Sequence, residues 1–252
     1  MRNIKLVVEY DGSNYSGWQV QNRRNKKDKK TIQQCLEKAL GQILQEKVKL
    51  IGSGRTDAGV HAQGQVANCK TKSKLSCGNI QLALNSILAD DIRIKQVREV
   101  PLDFHARFSA QSKLYRYSIV NGSFVSPFLR DYAYLVKYPL DVQKMRRAAK
   151  YLLGKHDFRS FQAKDKIQRH SLRKVLRLVI RKHKNLICLD IEADGFLYRM
   201  ARNIVGTLIE VGRGRLRPEG LQRIIKAKNR EYAGPCAPAK GLCLMAVRYS
   251  FP

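Results

Sequence analysis

Between Ile51 and Ala62 the chain reads Ile-Gly-Ser-Gly-Arg-Thr-Asp-Ala-Gly-Val-His-Ala, which sets one carboxylate, Asp57, among glycines and two residues after an arginine, Arg55. Two phosphate-cradling patterns can be tested on this stretch, and both fail. A dinucleotide fingerprint would need glycine where Asp57 stands and helical periodicity after it. A Walker loop would need lysine and a hydroxyl residue after Gly59, where Val60 and His61 sit. What remains is a carboxylate beside an arginine in a turn between two short strands, where glycine permits positive φ and lets a substrate backbone come close. The plainer alternative is an Asx turn in which Asp57 only satisfies local N–H groups. The pattern alone leaves both open.

The elements that must hold this turn are legible around it. Residues 4–10 alternate as a strand. Thr31-Ile-Gln-Gln34 is a capping-box start, and apolar residues at 32, 35, 36, 39, 40, 43 and 44 then trace a helical face. Short strands are expected at 48–52 and 60–69. A second helical pattern uses Ile80, Ala83, Leu84, Ile87 and Leu88, and 92–100 alternates as a strand. The later part repeats this order. A strand is expected at 113–120, followed by a helix capped by Asp141, running through Val142, Met145, Ala149 and Leu152, and closed by Gly154. Strands at 173–182 and 186–190 come next, then a helix marked by Leu197, Met200, Ile204, Val205 and Leu208. Pro218 opens another helix, and 242–250 is a last strand. Each half reads β-α-β-β-α-β, the split-βαβ order. The expectation is an α+β protein of two pseudo-equivalent halves, 1–104 and 105–252, joined near Pro101–Ala110.

Composition narrows the partner. At 252 residues and 44% hydrophobic, the chain is long enough for one or two domains and can bury a core. No apolar run approaches the roughly 20 residues of a spanning helix, and Met1-Arg2-Asn3-Ile4-Lys5-Leu6 has no signal-peptide layout. Lys and Arg number 49 against 20 Asp and Glu, a net charge of +29. That excess calls for a polyanion, and without a basic amphipathic helix or lipid motif the expected one is nucleic acid rather than membrane. The six cysteines form no CxxC pair, and neighbouring histidines complete no ligand set, so neither zinc nor a disulfide framework is expected. Cys35 and Cys188 fall on apolar positions and read as small core residues, which suits a reducing cytoplasm.

Gly54-Arg-Thr-Asp-Ala-Gly-Val-His-Ala62 closely resembles the active-site signature of the TruA family of tRNA pseudouridine synthases. The likeness extends over essentially the whole chain. It includes Tyr10-Asp-Gly-Ser-Asn-Tyr-Ser-Gly-Trp-Gln19, Phe104-His-Ala-Arg-Phe-Ser-Ala110, Lys113-Leu-Tyr-Arg-Tyr117 and His156-Asp-Phe-Arg-Ser-Phe161. It continues through Gly195-Phe-Leu-Tyr-Arg-Met-Ala-Arg-Asn-Ile-Val-Gly-Thr207 and Gly241-Leu-Cys-Leu244. The resemblance implies two ferredoxin-like halves forming one central antiparallel sheet with helices and a basic cleft. It implies a homodimer, acting on the tRNA anticodon stem-loop at positions 38, 39 and 40.

In the implied reaction the C1′–N1 bond of uridine breaks, the uracil turns, and C5 bonds to C1′. No group enters or leaves, so no cofactor and no metal are expected. By resemblance Asp57 is the carboxylate at C1′, attacking it or taking the proton that yields a glycal. Arg202 is its partner cation, which a charge in a water-excluding site requires; otherwise it would read as a mid-helix surface arginine. Tyr115 is implied to place its ring against the uracil and its hydroxyl near the C5 proton, its plainer reading being a core aromatic. A flipped base stacked on an aromatic is how base-modifying enzymes hold their targets. Arg55 is implied to fill the space that the flipped base leaves. Leu244 is implied to pack against the base, though an ordinary core leucine fits as well. His61 and His105 lie in matched motifs but show no acid–base task, and structural imidazoles are expected.

Two basic runs, 22–30 and 164–184, are expected to follow phosphates, because A-form RNA hides its base edges and is read by shape and backbone. The 22–30 loop is unusually lysine-rich for the family. Gln168-Arg-His-Ser-Leu-Arg173 departs from its usual stretch, so either Arg169 or Arg173 could face the RNA. The alternatives are a paralogue modifying another RNA, such as ribosomal RNA, and a non-catalytic RNA-binding or chaperone module. An intact Asp57–Tyr115–Arg202 set favours the enzyme.

Overall fold

Ile4, Leu6, Val8 and Tyr10 are all buried, and from Leu6 on they alternate with the half-buried Val7 and Glu9, the period of two of the strand Arg2–Tyr10, β1. The computed structural model describes residues 1–19, 30–163 and 170–250. After β1 come α1 (Ile32–Leu44), β2 (Ile51–Gly52), β3 (His61–Thr71), α2 (Cys77–Ile87) and β4 (Ile92–Val100). The run continues with β5 (Ala110–Asn121), β6 (Tyr134–Val136), α3 (Val142–Lys150), β7 (Gly154–Asp157), β8 (Leu172–His183) and β9 (Leu186–Ala193). It closes with α4 (Met200–Gly212), α5 (Gly220–Ala227) and β10 (Leu242–Tyr249). The chain is α+β, and its strands pair antiparallel except for β5 with β6. Two units separate, one of Met1–Gln111 with Leu244–Pro252 and one of Ser112–Cys243.

In the first unit the strand order is β4-β1-β3-β10, with β2 pairing with β3. The Thr31 hydroxyl accepts from the Gln34 N–H at 3.3 Å, and the Gln34 side chain accepts from the Thr31 N–H at 3.0 Å, so the capping box starts α1 where expected. Ile32, Leu36, Ala39, Leu40 and Leu44 form its buried face. The expected strand at 48–52 shrinks to two residues, whose pairing with Asn68 and Ala67 sets the entry to the 53–60 turn.

The second unit has the order β5-β9-β8-β7. Its sequence hides two strands. β6 pairs in parallel with β5, Ile119 opposite Tyr134, and β7 pairs antiparallel with β8. Gly154, with φ +92°, opens β7 instead of closing the preceding helix, which ends at Lys150. α4 begins three residues later than Leu197, because Arg199 is left-handed at φ 58° and a right-handed helix cannot run through it. Arg202 therefore stands in the first turn of α4, not mid-helix. Asp190, 4% exposed, is bonded by Arg116 Nε at 2.7 Å and Arg181 Nη1 at 2.6 Å. Burial works against its ionisation, but the hydrogen bonds and charges of Arg116 and Arg181 hold its carboxyl below the ordinary value. All six cysteines are free thiols, and Cys35 and Cys188 are half-buried at the edge of the packing rather than core residues. The buried one is Cys69, whose thiol burial pushes up to about 12, with Glu46 and Glu37 adding to the shift.

Candidate active site

The 53–60 turn is anchored at nearly every residue. Ser53 N–H donates to Val66 O at 2.7 Å, and Ser53 Oγ donates to Gln65 Oε1 at 2.7 Å. The fully buried Gln65 side chain returns its amide to Gly54 O at 3.1 Å. Thr56 O accepts from Trp18 N–H at 3.1 Å. Val60 N–H donates to Asp57 O at 3.1 Å, closing a four-residue turn whose third residue, Gly59, has the φ of 75° that a type II turn demands. Gly17 presses on the same backbone: a Cβ there would lie 2.5 Å from Thr56 O. Arg55 is exposed and Asp57 half-buried. A carboxylate on so fixed a backbone is ready to meet a substrate atom in one place.

His61 follows at the start of β3, buried, its Nδ1 3.1 Å from Gly12 N–H and 3.0 Å from Asp11 Oδ1. His105 Nδ1 accepts from the N–H groups of Arg107 and Phe108, both at 3.2 Å. Both imidazoles accept hydrogen bonds from nearby backbone N–H groups. Leu244 on β10 is fully buried.

Tyr115, Arg173 and Arg202 belong to the second unit. β5 lies between antiparallel pairing to β9, Tyr115 opposite Ile191, and its alternation puts Tyr115 and Tyr117 on one buried side with Arg116 on the other. Tyr115 is 7% exposed, and its ring meets Phe196 edge-on at 4.9 Å between centroids. Tyr117 is fully enclosed and donates its hydroxyl to Pro238 O at 2.9 Å; burial raises its pKa strongly, which leaves it a structural phenol. Arg173 donates Nη1 to His170 O at 2.7 Å and to Leu172 O at 2.6 Å. Lys174, Arg177, Arg181, Lys182 and Lys184 stand exposed along and just beyond β8. Arg169, Lys164, Lys166 and the loop residues Arg23 to Lys29 lie outside the described residues.

Arg202 is held by a segment with little regular structure. Its Nε donates to Ala237 O at 2.7 Å, while Ala237 N–H donates back to Arg202 O at 3.2 Å. About one and a half turns along α4 the same segment is tied again, Gly234 N–H donating to Thr207 Oγ1 at 2.9 Å. This contact is possible because residue 206 is glycine: a Cβ would lie 1.7 Å from Pro235 O. Gly206→Ala must therefore push the 234–237 segment outward by about an ångström, and a shift of that size in a catalytic group can cost about 10²-fold. Turnover is expected to fall by about that factor, with overpacking costing about 1–3 kcal/mol of stability. Single-turnover kinetics alongside thermal melting checks this; a variant that melts early yet turns over at the wild-type rate would release Arg202 from dependence on Ala237.

Sequence reasoning missed Gln65 and Ala237 as supports of these side chains, and Tyr10, whose phenol hydrogen-bonds the Thr56 hydroxyl at 2.8 Å. Gln65 and Ala237 carry no signal of type or spacing, whereas Tyr10 lay inside a motif already singled out. Among the described residues, no group of three or more His, Cys, Asp or Glu side chains is placed to hold a metal ion. No described helix is long and apolar enough to cross a membrane.

The family described as tRNA pseudouridine synthase matches residues 6–109 and 148–250. The tRNA pseudouridine synthase A of Thermoanaerobacter sp. is 46% identical over 249 residues, spanning 99% of this chain and all of its own length. That of Acetivibrio thermocellus is 47% identical over the same coverage. A chain from a solved H/ACA RNP bound to a substrate RNA aligns with 82% of this one and 44% of itself, at 12% identity and a TM-score of 0.38, too loose a likeness to argue from.

Proposed function

The chain belongs to the tRNA pseudouridine synthase family, an isomerase forming pseudouridine in tRNA, and from that premise we propose that it acts at positions 38, 39 and 40 of the anticodon stem-loop with Asp57 as its catalytic carboxylate. Asp57 bonds to C1′ or removes the C2′ proton to give a glycal, and either route breaks the C1′–N1 bond and frees uracil. The uracil turns and C5 joins C1′ as the Asp57–C1′ bond breaks or C2′ regains its proton; C5 then loses its proton and N1, which carries none in uridine, takes one up, so the atoms balance. Tyr115 stacks on the uracil and its hydroxyl assists the C5 proton. Arg202 supplies the positive charge that pairs with the carboxylate away from water. Arg55 occupies the space of the flipped base, Leu244 packs against the base, and Arg169 and Arg173 contact backbone phosphates. The enzyme is built of two pseudo-equivalent halves, 1–104 and 105–252, and works in the cytoplasm as a homodimer.

The observation that carries this reading is the anchoring of the 53–60 turn. Hydrogen bonds to Val66, Gln65 and Trp18 fix its backbone, while Asp57 and Arg55 keep solvent exposure. A turn former needs no such scaffold.

The test is a pseudouridine map of total RNA from cells with and without the protein. Signals are expected to vanish at tRNA positions 38–40 and nowhere else. Loss at other positions or in ribosomal RNA would reassign the substrate, and an unchanged map would leave an RNA-binding module.

A further inference from the structure

Arg55 and Asp57 flank a residue that behaves oppositely to both. Thr56 is 7% exposed, whereas Arg55 is exposed and Asp57 half-buried. The Thr56 hydroxyl shares a buried 2.8 Å hydrogen bond with the phenol of Tyr10, a residue 46 positions away at the end of β1. The Tyr10 ring is itself buried, 6.1 Å from the ring of Trp18. The same Trp18 donates its N–H to the Thr56 carbonyl at 3.1 Å. Thr56 is thus gripped twice, by side chain and by backbone, from one strand end and the segment that follows it. In a locally extended stretch, successive side chains point to opposite sides. Turning the middle one inward sends its two neighbours outward together.

We propose that the Tyr10–Thr56 hydrogen bond is a positioning device for the reaction: it drives Thr56 inward and thereby aims Asp57 and Arg55 at the target nucleotide. This rests on the reading of Asp57 as the catalytic carboxylate. Packing alone does not explain the residue types. Valine has nearly the shape of threonine and would fill the same volume, but it would remove this buried hydrogen bond to the phenol, and losing a buried hydrogen bond has a cost. The β-branch of Thr56 also restricts χ1, which narrows where its hydroxyl can go. A device of this kind acts on orientation, so its loss should appear in the chemical step rather than in tRNA affinity.

The experiment compares Thr56→Val, Thr56→Ser, Tyr10→Phe and the Tyr10→Phe/Thr56→Val pair in single-turnover assays well below each melting temperature, with Asp57→Ala as the reference. Thr56→Val and Tyr10→Phe are expected to lower kcat by about tenfold to 10²-fold, the scale of a small misplacement. KM and tRNA Kd should stay within about threefold, as for an interaction felt only in the transition state. Thr56→Ser, which keeps the hydroxyl, should recover most of the rate. The double variant should be no slower than either single one, as coupled partners require. If Thr56→Val does not fold, Tyr10→Phe decides. Wild-type kcat in a folded Thr56→Val or Tyr10→Phe variant, with Asp57→Ala inactive, would overturn the positioning role alone. An active Asp57→Ala would instead remove the catalytic reading on which it rests.

Discussion

Asp57→Ala is expected to abolish pseudouridine formation while tRNA affinity stays within about tenfold, a change of at most roughly 1.4 kcal/mol in binding. The expectation follows from where binding and chemistry are separately housed. A basic chain of net charge +29 is expected to bind tRNA through many phosphate contacts, and removing one carboxylate takes none of them away. The chemical step has no such redundancy, since no second acid lies in the Gly54–Ala62 segment. Structural damage should be small. The turn is held by the Val60-to-Asp57 backbone bond and by Ser53, Gln65 and Trp18, none of which uses the Asp57 carboxylate. Pseudouridine content measured in tRNA after long incubation, together with filter binding of the same tRNA, separates the two quantities. Turnover by the alanine variant at the wild-type rate would reduce Asp57 to a turn former.

The second large effect is expected at Tyr115. Tyr115→Phe keeps the ring and its edge-on contact with Phe196 at 4.9 Å and removes one hydroxyl. If that hydroxyl serves the C5 proton, the glycosidic bond can break and the uracil can rejoin through C5 without the proton leaving. Product formation then falls by about 10² to 10⁴, the usual contribution of a positioned acid–base group. Stability should change by only about 1 kcal/mol, the typical worth of one hydrogen bond. Tyr115→Ala would lose stacking as well and weaken hold on the base. Tritium release from C5-labelled tRNA in a single turnover, with melting curves for each variant, reads the step directly. A phenylalanine variant that melts normally and releases tritium as fast as the wild type would deny the hydroxyl any chemical part.

How far the sequence reaches depends on the range of the interaction. The start of α1 was legible because the Thr31–Gln34 capping box is complete within four residues. The β1 strand was legible because its period of two is local, and Asp57 because its neighbours form a compact motif. The long-range ties were not, since Tyr10 reaches Thr56 across 46 positions and, in the second unit, Arg202 reaches Ala237 across 35. Arg202 read as mid-helix because nothing in Leu197–Met200 announces that Arg199 will be left-handed. β6 escaped notice for a related reason: three residues carry little periodicity, and the parallel partner Ile119 stabilises them from afar. Cys35 sits on an apolar helical period yet only half-buries, because a periodic stripe says which way a residue faces, not how completely the neighbouring element covers it.

The tie between the 234–238 segment and its surroundings bears on timescale. An irregular stretch commonly opens by itself, at a small fraction of the free energy that unfolds the whole. Here Gly234 and Ala237 give their N–H groups to Thr207 and Arg202 of α4, and Pro238 O takes the proton of the enclosed Tyr117. Opening the segment means breaking into a helix and stripping a partner from a buried phenol, so its lifetime is that of α4 and not that of a loop. The Arg202 side chain, bonded through Nε to Ala237 O, thereby shares the persistence of a core element.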